Sequence, residues 1–222
     1  KRQDLTAKAY DEAKLMAEKN SGKKIQVLFS PDWHPGIIGL IAARITEQYY
    51  MPSIAISVMG EVAKGSARSI DGVNITRVLR LCSDLLIDVG GHAGAAGFSV
   101  DSKTIEKFKK KVEDEMDKID ISPEKILNIE MELPLSKINK SLVKKIEDFE
   151  PFGLKNPKPV FAGLNMKLSD IRTVGAGKHL KFKAEGIDAI AFNMGELENF
   201  LHSGQTTNVA FTLELNKFNG SE

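Results

Sequence analysis

The stretch GGHAGAAGF at residues 90–98 has the composition of a ligand-binding segment. Its four glycines and three alanines leave the backbone almost bare, so that a ligand can approach main-chain N–H groups or two elements can pack closely. His92 adds a donor for a phosphate or a base edge. The stretch is neither a Gly-x-Gly-x-x-Gly dinucleotide motif nor a P-loop, which requires a lysine. It predicts either a nucleotide contact through Gly90, Gly91 and His92 or a tight strand–turn–strand whose histidine is satisfied locally.

A second segment, KGSARS at residues 64–69, combines two hydroxyl groups with a guanidinium. We expect it in a loop from Gly60 to Gly72, between a strand and a helix. The planar fork of an arginine matches a phosphate, and serine hydroxyls add donors. Ser66, Arg68 and Ser69 are therefore candidate phosphate ligands. The alternative is an ordinary polar connection with Arg68 in a surface salt bridge.

The segment WHPG at residues 33–36 precedes an isoleucine-rich helix predicted over residues 35–50. Pro35 suits the first helical position, where a missing N–H costs nothing. A helix N-terminus favours anions, which makes His34 a weaker candidate for the same kind of site. Trp33 could stack on a base, but we favour burial in the core.

A cluster of positive charge lies between Gly153 and Lys183. This range holds seven basic residues, and Asp170 is its single acid, whereas the whole chain is balanced at 31 basic and 30 acidic residues. In a strand predicted over residues 179–183, His179, Lys181 and Lys183 share one face. Such a face is typical of a single-stranded nucleic acid contact or of a solubilising surface.

Several classes of protein are excluded by composition. The chain has one cysteine, Cys82, which cannot form an internal disulfide, so a secreted, disulfide-stapled domain is excluded. The apolar neighbours of Cys82 predict a buried thiol rather than a nucleophile. No apolar run approaches the roughly 20 residues of a membrane span, and the N-terminus is not a signal peptide, so we expect a soluble, cytoplasmic protein. The four histidines lie far apart, without local metal-ligand spacing. We therefore predict neither a metal site nor catalytic residues within this chain.

The order of predicted elements divides the chain into an α/β part and a mainly β part. Strands alternate with helices over residues 23–120. After residue 122, short strands and glycine turns indicate a small barrel or sandwich. The predicted helices cover residues 4–19, 35–50, 75–83, 103–119 and 142–149. The predicted strands cover residues 25–29, 54–58, 98–100, 129–133, 160–168, 170–174, 179–183, 187–192 and 208–215.

These segments resemble the DHH-associated domain of the DHH phosphoesterase superfamily, followed by the OB-fold domain of RecJ exonucleases. The first resemblance rests on WHPG, on GSARS at residues 65–69, and on GGH with AAGF at residues 95–98. The second rests on EPFG at residues 150–153 with the prolines that follow it. The implied domains are a connector helix at residues 1–22, a DHH-associated domain at 23–121 and an OB-fold domain at 122–222. Residues 217–220 resemble a hairpin whose last strand is missing.

The resemblance implies a single-strand-specific 5′-to-3′ DNA exonuclease that acts in DNA repair and recombination. This chain would be its C-terminal, substrate-binding part. Mn²⁺ or Mg²⁺ would be held by an absent N-terminal domain, and the chain itself would carry no cofactor. The implied partners are single-stranded DNA, a single-strand-binding protein and a helicase. Ser66, Arg68 and Ser69 would bind phosphate, and Gly90, Gly91 and His92 would contact the nucleotide, with His34 in the same cleft.

Two other functions remain open at this point. The parent protein could be a phosphodiesterase for short oligonucleotides or cyclic dinucleotides, since several branches of the superfamily share the GGH segment. The chain could also be a non-catalytic OB module that binds single-stranded DNA. A connector-like N-terminus argues against the second alternative.

Overall fold

The computed structural model describes residues 2–121, 124–153 and 155–216. The chain forms two compact units, Lys1–Lys125 and Ile126–Glu222. We predicted a boundary at residue 122, and that boundary stays a prediction because Ser122 and Pro123 lie outside the described residues. The hairpin predicted at residues 217–220 also lies outside them. No helix in the described part of the chain is long and apolar enough to cross a membrane.

The first unit is built on a five-stranded mixed sheet with the order β1-β2-β3-β5-β4. Strands β1 and β2 run parallel, and every other neighbouring pair is antiparallel. The strands are β1 (Gln26–Ser30), β2 (Ser53–Ser57), β3 (Val62–Arg68), β4 (Leu86–His92) and β5 (Ala95–Asp101). The helices are α1 (Arg2–Lys19), α2 (Ile38–Tyr49), α3 (Ile75–Leu81) and α4 (Ile105–Asp117).

Alternation along the strands creates two separate cores in this unit. Ile54 and Ile56 of β2 belong to the core that includes α3 and α4, whereas Ala55 belongs to the core that includes α1 and α2. Because successive strand side chains point to opposite faces, the two helix pairs cover opposite faces of the sheet. Asn74 caps α3, as its position predicts, and accepts a hydrogen bond from the Arg77 N–H at 3.0 Å.

The prediction of a loop from Gly60 to Gly72 is wrong, because residues 62–68 form strand β3. Ala63, Gly65 and Ala67 alternate inward to the core, and these small residues lack the β-branched signal of a strand. A Cβ at Gly65 would lie 2.1 Å from the Phe98 ring, so the ring fills the space above this glycine. The large partner on β5 therefore compensates for the small residues of β3.

The predicted start of α2 at Pro35 is also wrong. The helix begins at Ile38, and residues 35–37 form a turn in which the Ile37 N–H donates to the His34 carbonyl at 3.0 Å. The His34 ring accepts the Gly36 N–H at Nδ1, at 2.9 Å. These local bonds satisfy N–H groups that a helical turn would leave free, so the chain turns before the helix starts.

The second unit contains a curled sheet with the order β10-β7-β8-β9, and β6 pairs in parallel with β7. We expected two strands over residues 160–174, but they are one strand, β7. Asn165 and Asp170 have φ of 52° and 51°, and the pairing register shifts beside each of them. Bulges of this kind bend a strand and allow its sheet to curl. The elements are β6 (Met131–Glu132), α5 (Lys140–Glu147), β7 (Phe161–Val174), β8 (His179–Ala184), β9 (Ile187–Ala191) and β10 (Thr206–Phe211).

Candidate nucleic-acid-binding surfaces

Strand β5 brings two of the predicted segments together in the first unit, because it lies between β3 and β4. Residues that face one another across antiparallel strands point to the same side of the sheet. Ser66 and Arg68 of β3 therefore share a face with Gly90 and His92 of β4. The two cross-strand rows are Ser66–Gly97–Gly90 and Arg68–Ala95–His92.

Helix α2 borders this face and forms an open groove with it, with a volume of ≈ 450 Å³. That volume falls in the range of small-molecule sites. Gly97 lines the groove, and its partner Gly90 on β4 extends the bare surface, since a Cβ at Gly90 would meet nothing within 4 Å. A flat ligand can therefore approach the sheet closely. The groove is lined by Pro35, Gly36 and Gly39 from the helix side and by Lys64, Ser66, Asp88 and Ser99 from the sheet.

Arg68 is half-buried and lies back along β3. Its Nη1 donates to the Ser66 Oγ at 3.1 Å and to the Ala67 carbonyl at 2.8 Å. A Cβ at Gly39 would lie 3.2 Å from the Arg68 Nη2, so a larger residue in α2 would crowd the guanidinium. Within the described residues Arg68 makes no salt bridge, which sets aside the surface ion pair that we considered. The guanidinium keeps donors for an anion on this face.

The glycine-rich segment forms the tight strand–turn–strand of the second interpretation, and the nucleotide contact of His92 stays a prediction. The segment is a tight hairpin in which His92 pairs with Ala95, and the His92 Nδ1 accepts the Gly94 N–H at 3.2 Å. The Thr76 hydroxyl donates to the His92 carbonyl at 2.7 Å. The exposed ring is thereby oriented, and an accepting Nδ1 leaves the proton of the neutral imidazole on Nε2.

Ser69, Gly91 and His34 lie apart from these rows. The Ser69 Oγ donates to the Val73 carbonyl at 2.8 Å, so this hydroxyl holds its own loop. Gly91 has φ of 150°, and a Cβ there would lie 2.3 Å from the Ala95 carbonyl oxygen, which makes a glycine necessary for the hairpin. His34 is exposed and precedes two residues that line the groove.

Lys64 lines the groove and was missed as a site residue. Its Nζ donates to the Ser99 Oγ at 2.6 Å and lies 4.0 Å from an Asp88 carboxylate oxygen. The period of two in strands would have placed Lys64 on the face of Ser66 and Arg68. Because we expected a loop there, that argument was not available.

Trp33 and Cys82 are structural residues, as predicted. Trp33 is 0% exposed, and its Nε1 donates to a Glu12 carboxylate oxygen at 2.9 Å, which ties the segment to α1. Cys82 is also fully buried, and this burial raises its thiol pKa to about 11. A thiol with so high a pKa is a poor nucleophile at neutral pH.

The described residues do not provide a metal site. In that part of the chain no group of three or more His, Cys, Asp or Glu side chains is close enough to hold an ion. The donors on the groove face are instead a guanidinium, hydroxyl groups, an imidazole and an ammonium. This set suits an anion such as a phosphate rather than a cation.

The predicted basic face of the second unit has the alternation that we expected. Leu180 and Phe182 are buried, whereas His179, Lys181 and Lys183 are half-exposed on the other side of β8. The two lysines differ, because the Lys183 Nζ lies 3.3 Å from an Asp170 carboxylate oxygen. Lys181 pairs across strands with Arg172 on one side and Ile190 on the other. Among the described residues neither Lys181 nor Arg172 forms a salt bridge.

The two units match two known domain families. Residues 22–118 match the DHHA1 domain, and residues 129–222 match the RecJ OB domain. The fold therefore defines a DHHA1-domain protein with a following OB domain, which confirms the predicted fold class. The chain belongs to the RecJ family, whose two domains it carries in this order.

Individual RecJ proteins are similar along most of the chain. The single-stranded-DNA-specific exonuclease RecJ of Bacillus subtilis is 29% identical over 98% of this chain and 29% of its own length. That of Thermus thermophilus is 30% identical over 83% of this chain and 27% of its own length. A crystal structure of Thermus thermophilus RecJ in complex with Mn²⁺ superposes with a TM-score of 0.78 at 29% identity, covering 99% of this chain and 32% of that one. This chain thus spans about a third of the length of the relatives it matches.

Proposed function

We propose that this chain is the DNA-binding part of a single-strand-specific 5′-to-3′ exonuclease that acts in DNA repair and recombination. The observation that carries the proposal is the groove face of the first unit. There Ser66, Arg68 and His92 lie on one face of the sheet together with the bare glycines Gly90 and Gly97. The similarity to RecJ proteins along both units supports the same substrate class.

The chemistry of the face fits the backbone of a nucleic acid. Arg68 supplies a planar set of donors, and the His92 Nε2–H adds another donor beyond Ala95. Ser69 and Gly91 act indirectly in this proposal, because one holds the loop after β3 and the other holds the hairpin. The His34 ring accepts the Gly36 N–H and so holds the turn in which Pro35 and Gly36 line the groove.

We further propose that hydrolysis requires Mn²⁺ or Mg²⁺ bound by residues outside this chain. Solved structures of Thermus thermophilus RecJ contain one or the other of these ions. Such ions activate water and stabilise the leaving oxygen in phosphodiester hydrolysis. The residues of this chain bind and orient the strand, and none is assigned a catalytic role. A single-strand-binding protein and a helicase complete the proposal as partners, on the resemblance to the family alone.

The second unit extends the contact with the strand. His179, Lys181 and Lys183 face outward on β8, where positive charge favours a phosphate backbone without reference to sequence. Because Asp170 neutralises Lys183, Lys181 and Arg172 provide most of this attraction. An OB-type sheet with a basic face is a common platform for single strands.

The test is fluorescence anisotropy of the chain with a labelled single-stranded oligonucleotide, at low and moderate salt. We expect binding that weakens with salt and that exceeds binding to a duplex of the same length. Arg68→Ala should weaken it at least about tenfold, since a charge-assisted contact contributes roughly 1.5–3 kcal/mol. Arg77→Ala, which removes an exposed cation from α3 on the opposite face of the sheet, is the matched control. Equal binding by both variants would reject the groove as the phosphate site.

A further inference from the structure

The second unit exposes an aromatic side chain beside its basic face. Phe192 follows β9, and its side chain is 63% exposed. Ala189 and Ala191 pack against the core, so Ile190 points outward by the period of two, and Phe192, in the turn after β9, contacts His179 of the basic face. Since Ile190 pairs with Lys181, this outward side is the side of the basic face.

The Phe192 ring is held in place although it is exposed. Its centroid lies 5.3 Å from that of the His179 ring, with 75° between the planes, an edge-to-face arrangement. The His179 Nδ1 accepts the Asn193 N–H at 2.9 Å, which fixes the imidazole against the backbone next to Phe192. A ring ordered before binding loses little conformational entropy when a ligand stacks on it.

The backbone around this pair is closely packed. The Gly195 N–H donates to the Lys178 carbonyl at 3.2 Å, which connects the segment after β9 to the turn between β7 and β8. A Cβ at Gly195 would lie 1.9 Å from the Gly177 carbonyl oxygen, so a glycine is necessary for this approach. The segment that follows Phe192 is therefore packed against the turn between β7 and β8.

The charges beside Phe192 indicate what covers it. Lys181 and Arg172 continue the outward row from Ile190, and within the described residues neither is neutralised by an acid. Of the acids on this unit, Asp170 pairs with Lys183, and Glu198 accepts the Thr173 N–H at 3.1 Å. An apolar ring with two available cations in the neighbouring cross-strand row complements an unstacked base and the phosphates next to it.

We propose that Phe192 is a base-stacking residue for single-stranded nucleic acid, with Lys181 and Arg172, which share the neighbouring cross-strand row, binding adjacent phosphates. The inference rests on the proposed function and names a contact within it. Every base has an aromatic face, so this contact holds the strand without regard to sequence. It also distinguishes single strands from duplexes, whose bases are already stacked.

The test compares Phe192→Leu with wild type on two labelled oligonucleotides of equal length, one with thymine bases and one with abasic sites. Leucine keeps an apolar side chain but has no ring to stack. We expect about tenfold weaker binding of the thymine oligonucleotide, because stacking contributes roughly 1–3 kcal/mol per base, and unchanged binding of the abasic one. Phe149→Leu, at another exposed phenylalanine of this unit (70% exposed), is the matched control and should leave both affinities unchanged.

A direct signal comes from Phe192→Trp. We expect its added indole fluorescence to be quenched when the thymine oligonucleotide binds, above the constant background of the fully buried Trp33. Normal binding of both oligonucleotides by Phe192→Leu would overturn the inference while leaving the proposed function intact. An equal loss on both oligonucleotides would also overturn it, since the ring would then serve the fold or a protein contact. No wild-type binding at low salt would reject the proposed function and this inference together.

Discussion

At the scale of single residues, the two serines of KGSARS have different roles although they are the same residue type. The Ser66 hydroxyl accepts a hydrogen bond from Arg68 on the open face, whereas the Ser69 hydroxyl donates to the carbonyl of Val73. Composition treats the two serines alike, and the end of β3 between them separates them. Gly39 carries no functional group, yet its missing side chain leaves room for the Arg68 guanidinium.

The substitution Gly39→Ala should separate folding from binding. Alanine in a helix stabilises it by about 1 kcal/mol relative to glycine, and the crowded neighbours are the flexible end of Arg68 and the Ser66 hydroxyl. We expect the free energy of unfolding to stay constant or to rise by up to about 1 kcal/mol, as measured by urea denaturation. Oligonucleotide affinity should fall severalfold in anisotropy titrations. Leu40→Ala, at the next and exposed position of α2, should retain full affinity, and equal effects of the two changes would contradict this role for Gly39.

At the scale of elements, the hairpin of β4 and β5 is what turns two separate motifs into one surface. β5 supplies small residues opposite both neighbours on the open face, and on the other face it supplies Phe98 to the core. Phe98 packs against Phe108 of α4, with ring centroids 5.0 Å apart. The flat open face and the filled core are thus two sides of the same strand.

Two glycines of this sheet should differ in how much stability the protein loses when each is replaced by alanine. In Gly65→Ala the new methyl group would overlap the Phe98 ring, whose nearest atom lies 2.1 Å away, and we expect a loss of about 1–3 kcal/mol in the free energy of unfolding. In Gly97→Ala the nearest heavy atom lies at 3.9 Å, so stability should be retained while the groove floor is raised. Urea denaturation followed by Trp33 fluorescence measures the free energy of unfolding of both variants. Anisotropy measures how the raised groove floor of Gly97→Ala changes oligonucleotide affinity. Equal stability of the two variants would mean that the Phe98 ring moves freely.

At the scale of the whole molecule, the chain is two units with separate cores. The cores of Lys1–Lys125 are built on α1 to α4 and their sheet, and those of Ile126–Glu222 on the curled sheet and α5. The residues at 124–130 are exposed and belong to no helix or strand. Backbone without buried contacts is where a protease reaches a folded chain.

Limited digestion with trypsin should therefore cut first after Lys125. We expect two fragments that resist further cleavage, because the cores on either side are closed. Mass spectrometry of the first products identifies the site. Early cleavage within β3 or β8 instead would contradict the division into two stable units, and a first cut elsewhere between residues 118 and 130 would move the boundary only.

The sequence alone determined the two-part fold class, the buried roles of Trp33 and Cys82, and the alternation of β8. Each follows from local patterns, namely helical spacing, apolar runs and the period of two. The family resemblance could also be recognised from the sequence, because its motif residues lie in short contiguous segments. The positions of Lys64 and Gly39 at the groove, and the continuous strand β7, were not.

Tertiary structure decided those features because they depend on partners distant in the chain. β3 is a strand because Phe98 fills the space above its small residues, and β7 continues through two residues of positive φ because its neighbours pair on both sides. Charge also depends on partners, since Asp170 neutralises Lys183 and leaves Lys181 available. A pattern within one segment specifies which side chains lie on each face of a strand. Only the packed sheets specify which residues lie against each face.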